Sequence, residues 1–272
     1  MSFQQKLDAI IDHHNSLLCV GLDPDFAKLP DFLKNEPTPQ FAFNKAIIDA
    51  THDLVAAYKP NSAFYEGAGA AGVEELKMTC DYIRRYYPDI PLILDAKRAD
   101  IGNTNLGYAH YAFEYLGADA VTLHPYMGGE ALKPFFEQKD KAVIILCRTS
   151  NPGAAEFQDL LVDGEPLYMK VAKQFAAQWN YNENCLLVVG ATYPDEMKAI
   201  RAAVGDMTFL VPGVGAQGGD VEKTVRAGLN SRGMGMIINA SRGVIFASDG
   251  EDFAAAARAA AQKLRDEINS YR

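Results

Sequence analysis

Eight short apolar runs recur along the chain, and each is followed by a stretch with helical spacing. The runs are LLCVGLD (17–23), LVAAYKP (54–60), PLILDAK (91–97), DAVTLHP (119–125), KAVIILCRT (141–149), NCLLVVGAT (184–192), MTFLVPGVG (207–215) and MGMIINASR (234–242). Apolar runs without polar alternation suit parallel strands buried on both faces. Between them, segments such as PQFAFNKAIIDATHDL, GVEELKMTCDYIRRYY and PLYMKVAKQFAAQWN read as amphipathic helices. The terminal EDFAAAARAAAQKLRDEINSYR is strongly helical, with Ser248 or Asp249 as the expected cap.

Eight strand–helix units in 272 residues predict an α/β fold of the (β/α)8 TIM-barrel type, one domain over residues 1–272. An open doubly wound sheet is the alternative, but eight strands in one such domain are less usual. Residues 2–13 precede the first run and are expected to add an N-terminal helix that closes the bottom of the barrel. The longest irregular stretch, SNPGAAEFQDLLVDGEP (150–166), follows the fifth run. A loop of that length in a compact domain is more often functional than idle, and covering a bound ligand is one such use.

Composition excludes several classes. A net charge of −9 leaves no broad basic face for nucleic acid or an anionic membrane. A small anion remains possible, because a few local cations and a helix N-terminus suffice for a phosphate. The four cysteines, Cys19, Cys80, Cys147 and Cys185, form no CxxC pair, and three lie in strand-like runs. Buried reduced thiols in a cytoplasmic protein are expected, rather than disulfides or zinc. The first residues are amphipathic and carry acids, unlike a signal peptide. No stretch approaches the 18 or so apolar residues of a membrane span.

The polar residues fall at one end of the runs. Asp23, Lys59, Asp95 with Lys97, His124, Thr149 with Ser150, Pro212-Gly213 and Ser241-Arg242 all follow apolar residues at C-terminal ends. In a barrel those ends form one mouth, which carries the chemistry. LILDAKRADIGNT (92–104) concentrates Asp95, Lys97, Arg98 and Asp100 there. Asp95 and Lys97 are two apart on a strand and should share a side. Opposite charges about 4 Å apart attract by roughly 4 kcal/mol at an effective dielectric near 20. A single pair would be an ordinary structural salt bridge; the whole cluster, joined by Lys59, favours a functional site. In PGVGAQGGD (212–220) and ASRG (240–243), glycines, Gln217 and Arg242 suit the phosphate site that barrels build after strands 7 and 8. His13, His14, His52 and His110 read as surface or packing residues and Trp179 as core or interface. His124 reads as a hydrogen-bonded strand end, and Asn61 and Glu66 as residues that line the site or orient Lys59. Acids that alternate with lysines do not form a metal cage.

DAKRADIGNT carries Asp-x-Lys-x-x-Asp-Ile-x-x-Thr and resembles the signature of the orotidine 5′-phosphate decarboxylase family. GLDPD, YKPN, TSNPGA, PGVGAQGGD and SRGVIFA fit the same family in order, and the length and the 150–166 insertion resemble its longer bacterial branch. The resemblance implies conversion of orotidine 5′-phosphate to uridine 5′-phosphate and CO2, without cofactor or metal. It implies a charged array of Lys59, Asp95, Lys97 and Asp100, with Lys97 the proton donor to C6 and Asp95 beside the substrate carboxylate. Asp23 and Lys59 would contact the ribose, and Ile101 the apolar wall near the leaving carboxylate. Ser150, beside Thr149, would contact the pyrimidine and Gln217, which bridges to the phosphate that Arg242 holds. Asp100 and Thr104 would reach the neighbouring subunit's site in a homodimer. A magnesium-dependent keto-sugar-phosphate decarboxylase shares Asp-x-Lys-x-x-Asp. A Schiff-base aldolase and a catalytically silent phosphate-binding barrel are further alternatives.

Overall fold

The structure, a computed structural model, describes residues 1–215 and 218–272. Eight parallel strands form one sheet: β1 Leu18–Leu22, β2 Ala57–Pro60, β3 Ile93–Arg98, β4 Ala120–Leu123, β5 Ala142–Arg148, β6 Cys185–Val189, β7 Phe209–Pro212 and β8 Met236–Ala240. Their spatial order is β2-β1-β8-β7-β6-β5-β4-β3. The two ends meet through parallel bridges Tyr58–Leu92 and Asn61–Asp95, so the sheet closes on itself. This is the expected (β/α)8 barrel. All eight runs became strands because their residues are buried on both faces; β1, β2, β4 and β6 have no exposed position.

Helix α1, Phe3–His14, precedes the barrel and buries Phe3, Leu7, Ile10 and Ile11. It crosses the strand N-termini, as expected. Lys6 pairs with Asp119 ahead of β4, Gln4 accepts from the Thr208 hydroxyl ahead of β7, and His14 meets the Val55 carbonyl ahead of β2. The last long helix, Phe253–Asn269, starts later than its expected cap. Asp252 occupies the cap position, while Ser248 donates to the Asp252 carboxylate at 2.6 Å and accepts from the Gly250 amide. Ser248 thus shapes the preceding turn instead of capping the helix.

The 150–166 segment is more ordered than an irregular loop. It contains a 3-10 turn, Pro152–Ala154, a helical turn, Ala155–Gln158, and a hairpin pairing Leu161–Val162 with Glu165–Pro166. Asp163 and Gly164 form its two-residue turn, both at positive φ (53° and 79°). Asp-Gly is the residue pair that such a turn favours.

Candidate active site

The strand C-termini surround a cavity of about 730 Å³, within the range of small-molecule sites. Asp23, Lys59, Asn61, Asp95, Lys97, Thr149, Ser150 and Arg242 all line it. Residues from β1, β2, β3, β5 and β8 therefore converge as the strand-end pattern predicts. Leu146, Val188 and Leu210 supply an apolar portion.

Asp95 is the hub. One carboxylate oxygen accepts from Lys97 at 2.6 Å and from the Thr122 hydroxyl at 2.8 Å. The other accepts from Lys59 at 3.0 Å and from the Asn61 amide at 3.3 Å. Burial alone would push this carboxyl up, but the Lys59 and Lys97 charges with the Lys97 and Thr122 hydrogen bonds outweigh it and hold Asp95 well below the usual carboxylate range. Burial would likewise lower Lys59, 3% exposed, but the charges of Asp95 and Asp23 outweigh it and push its ammonium up. Both groups are thus ionised at neutral pH.

Lys97 does not sit on a regular strand. Its φ is 46°, and the β3–β4 register shifts between Leu94 and Arg98. A non-glycine residue in the left-handed region is uncommon, and such a conformation costs on the order of 1–3 kcal/mol when the surroundings impose it. The Thr122 hydroxyl accepts the Lys97 amide at 3.0 Å while donating to Asp95. Thr122 thereby fixes both the backbone and the side-chain partner of Lys97. The shared side expected from strand alternation is reached through this irregularity.

Residues after β7 and β8, in the stretches expected to hold phosphate, line the same cavity. Gly213, Val214 and Gly215 line it, with Gly213 at φ 99° and Gly215 at φ 67°. Gly219 closes the loop by donating to the Gly213 carbonyl, where an added Cβ would lie 2.6 Å from that oxygen. Arg242 starts a helical turn, Arg242–Ile245; its carbonyl accepts the Phe246 amide, and its guanidinium has no hydrogen-bond or ion-pair partner among the described residues. Gln217 lies outside the described residues. Ser150 packs on Gly190, where a Cβ would come within 2.8 Å of its own.

Other expected residues do not join the cavity in one chain. Asp100, Ile101 and Thr104 lie outside it; Ile101 is 56% exposed, and the Asp100 carboxylate accepts the Ile101 amide. His124 does not line it either. Glu66 pairs with Arg98, and Asn61, rather than Glu66, lines the site. Sequence reasoning missed Thr122, Asn151, Gln158 and Asn239, all of which line the cavity. Thr122 and Asn239 could have been noticed as polar interruptions of apolar runs; Gln158 had no such signal. Among the described residues, no three His, Cys, Asp or Glu side chains cluster as metal ligands. No described helix is long and apolar enough to cross a membrane.

A closed parallel barrel with the Lys59–Asp95–Lys97 network at its C-terminal face has the architecture of the (β/α)8 enzymes, whose active sites sit at that face. Residues 16–259 match the orotidine 5′-phosphate decarboxylase / HUMPS family, and the chain belongs to it. A protein of Cellvibrio japonicus (strain Ueda107) named orotidine 5′-phosphate decarboxylase is 57% identical over 274 residues, covering 100% of both chains. The structure of Leishmania donovani OMP decarboxylase superposes with a TM-score of 0.87 at 41% identity, covering 100% of this chain and 99% of that one. Leishmania donovani UMP synthase matches with a TM-score of 0.88 at 43% identity; the present chain spans 56% of its length.

Proposed function

We propose that this enzyme decarboxylates orotidine 5′-phosphate to uridine 5′-phosphate and CO2, the last step of UMP synthesis. The observation that carries this reading is the Lys59–Asp95–Lys97 network facing the same cavity as Arg242, in a chain of this family.

Breaking the bond from C6 to the carboxylate leaves an electron pair on a vinyl-type carbon that the pyrimidine stabilises poorly. Many decarboxylases delegate that charge to a cofactor. Here a fixed ammonium, Lys97, faces the developing carbanion and stabilises it electrostatically. The Lys97 proton then passes to C6, and the neutral amine regains a proton from solvent. Asp95 and Thr122 hold Lys97 in place, so little reorganisation accompanies the step. Repulsion between Asp95 and the substrate carboxylate is a secondary contribution. Asp23 and Lys59 bind the ribose, Ser150 the pyrimidine, and Gln217 with Arg242 the phosphate. The phosphate is remote from C6, so its binding energy can be used to close and dry the site. Conversion of orotidine 5′-phosphate followed by absorbance tests the reading, and a folded protein without turnover would end it.

A second copy of the chain completes the site in this proposal. Asp100, Ile101 and Thr104 are exposed or partly exposed next to the strand that carries Lys97, with Leu106 61% exposed beside them. Mixing inactive Lys97→Ala and Asp100→Ala proteins should restore activity, because one site of each mixed dimer would be intact. Mixtures that stay inactive would exclude shared sites.

A further inference from the structure

Arg148, at the end of β5, has the largest side chain among those fully buried, 1% exposed, and the chemistry above does not use it. Its guanidinium lies 3.8 Å from the Tyr193 ring centroid and 6.0 Å from that of Tyr168. One nitrogen donates to the Thr149 carbonyl at 3.2 Å. Another donates to one Asp159 oxygen at 3.2 Å, and Nε sits 3.1 Å from the other, outside hydrogen-bond alignment. A buried guanidinium needs a counter-charge, and this one comes from the 150–166 segment.

Asp159 adjoins Gln158, which pairs with Thr149 in both directions. The Thr149 amide donates to the Gln158 side-chain oxygen at 2.9 Å, and the Gln158 amide donates to the Thr149 hydroxyl at 2.8 Å. Apolar burial does little to hold the segment. Phe157, Leu160, Leu161 and Val162 are exposed at 68, 53, 68 and 43%, and Ala154 is its buried apolar residue. Polar contacts from Gln158 and Asp159 therefore attach it to Arg148, the last residue of β5, and to Thr149 just after it.

We propose that the Arg148–Asp159 pair is a positioning clasp: it seats the 149–158 segment so that Ser150, Asn151 and Gln158 face the base end of the nucleotide. The proposal rests on the functional reading above. Displacing a positioning group by about 1 Å can cost on the order of 100-fold in rate.

Asp159→Ala tests this at a side chain 41% exposed, but it strands the buried Arg148. The double variant Arg148→Met, Asp159→Ala removes that charge and keeps most of the volume. Two readouts apply to it: amide hydrogen exchange across 150–166, and kcat and KM for both orotidine 5′-phosphate and orotidine. The clasp requires faster exchange confined to 150–166 and a kcat/KM lowered for both substrates by the same factor, about 10–100-fold, with Asp159→Glu recovering part of the loss. Unchanged exchange, or a kcat/KM within about twofold of wild type when only the melting temperature falls, overturns it. A wild-type protein without turnover would instead overturn the functional reading, and exchange would still decide the clasp.

Discussion

Two carboxylates in this barrel are each held between two lysines, at opposite ends. At the top, Asp95 bridges Lys59 at 3.0 Å and Lys97 at 2.6 Å. At the bottom, Asp119 bridges Lys6 at 2.8 Å and Lys141 at 3.9 Å, and also accepts the Leu92 amide at 2.9 Å. The bottom trio is evenly shielded, its side chains 21, 20 and 19% exposed, and it staples α1 to the starts of β4 and β5. The top trio is graded instead: Lys59 is 4%, Asp95 10% and Lys97 48% exposed. A cation half open to a cavity, with its counter-ion buried behind it, can meet a ligand. The same three residue types packed against backbone can only pin it. Position along the strand, rather than composition, separates chemistry from stability in a barrel.

The contrast breaks most sharply at the two outer lysines. Lys97→Ala should lower turnover by on the order of 10⁴ or more, with a melting temperature near wild type because the side chain is half exposed. Lys141→Ala should leave turnover unchanged. Comparable activity in both folded variants would remove the distinction between the ends.

The central carboxylates differ in stability. Asp95→Ala leaves Lys59 buried and unpaired, which costs about 3–5 kcal/mol in urea unfolding. Asp119→Ala leaves partly exposed partners and should cost about 1–3 kcal/mol, mainly through the Leu92 amide. Equal losses would show that burial does not set the penalty. Arg242→Ala, also at the top, should lower kcat/KM for the phosphorylated substrate about 10–100-fold and leave the bare nucleoside unaffected. Equal losses for both would exclude a phosphate clamp.

The smallest expected effect is on pH dependence. Asp95 is depressed below its ordinary 3.8, so its contribution is present above that value and lost as pH falls through its lower folded pKa. Lys59 is raised above its ordinary 10.5, so its contribution is present below that value and lost as pH rises through its higher folded pKa. In the folded wild-type protein neither group should therefore titrate between about pH 5 and 9, so the pair's contribution to wild-type stability stays constant across that window. An Asp95 carboxyl NMR shift that titrates within that window would contradict the ionised pair.

Much of the fold was legible because buried parallel strands leave a local mark. Each run from 17–23 to 234–242 is apolar over its own few residues, and the charged or small residues mark its C-terminal end. Asp23, Lys59, Asp95, Lys97, Ser150 and Arg242 could be collected at one mouth for the same reason. The Ser248/Asp249 cap failed where several short polar residues compete within one turn. The 150–166 hairpin was missed although its Asp-Gly pair was visible.

The sequence by itself determined the number of strand–helix units, which strand ends carry charge, and membership of the family motif. Only the tertiary structure decided which groups those charges meet. Thr122 reaches Asp95 and the Lys97 amide because β3 and β4 shift register beside a left-handed lysine. Arg148 finds Asp159 because the insertion folds back over the end of β5. Lys-Asp-Lys became a site at one end and a staple at the other through its position on the barrel and the burial that position imposes. Periodicity is a property of neighbours in the chain, whereas register, burial and ion pairing depend on residues brought together from distant segments.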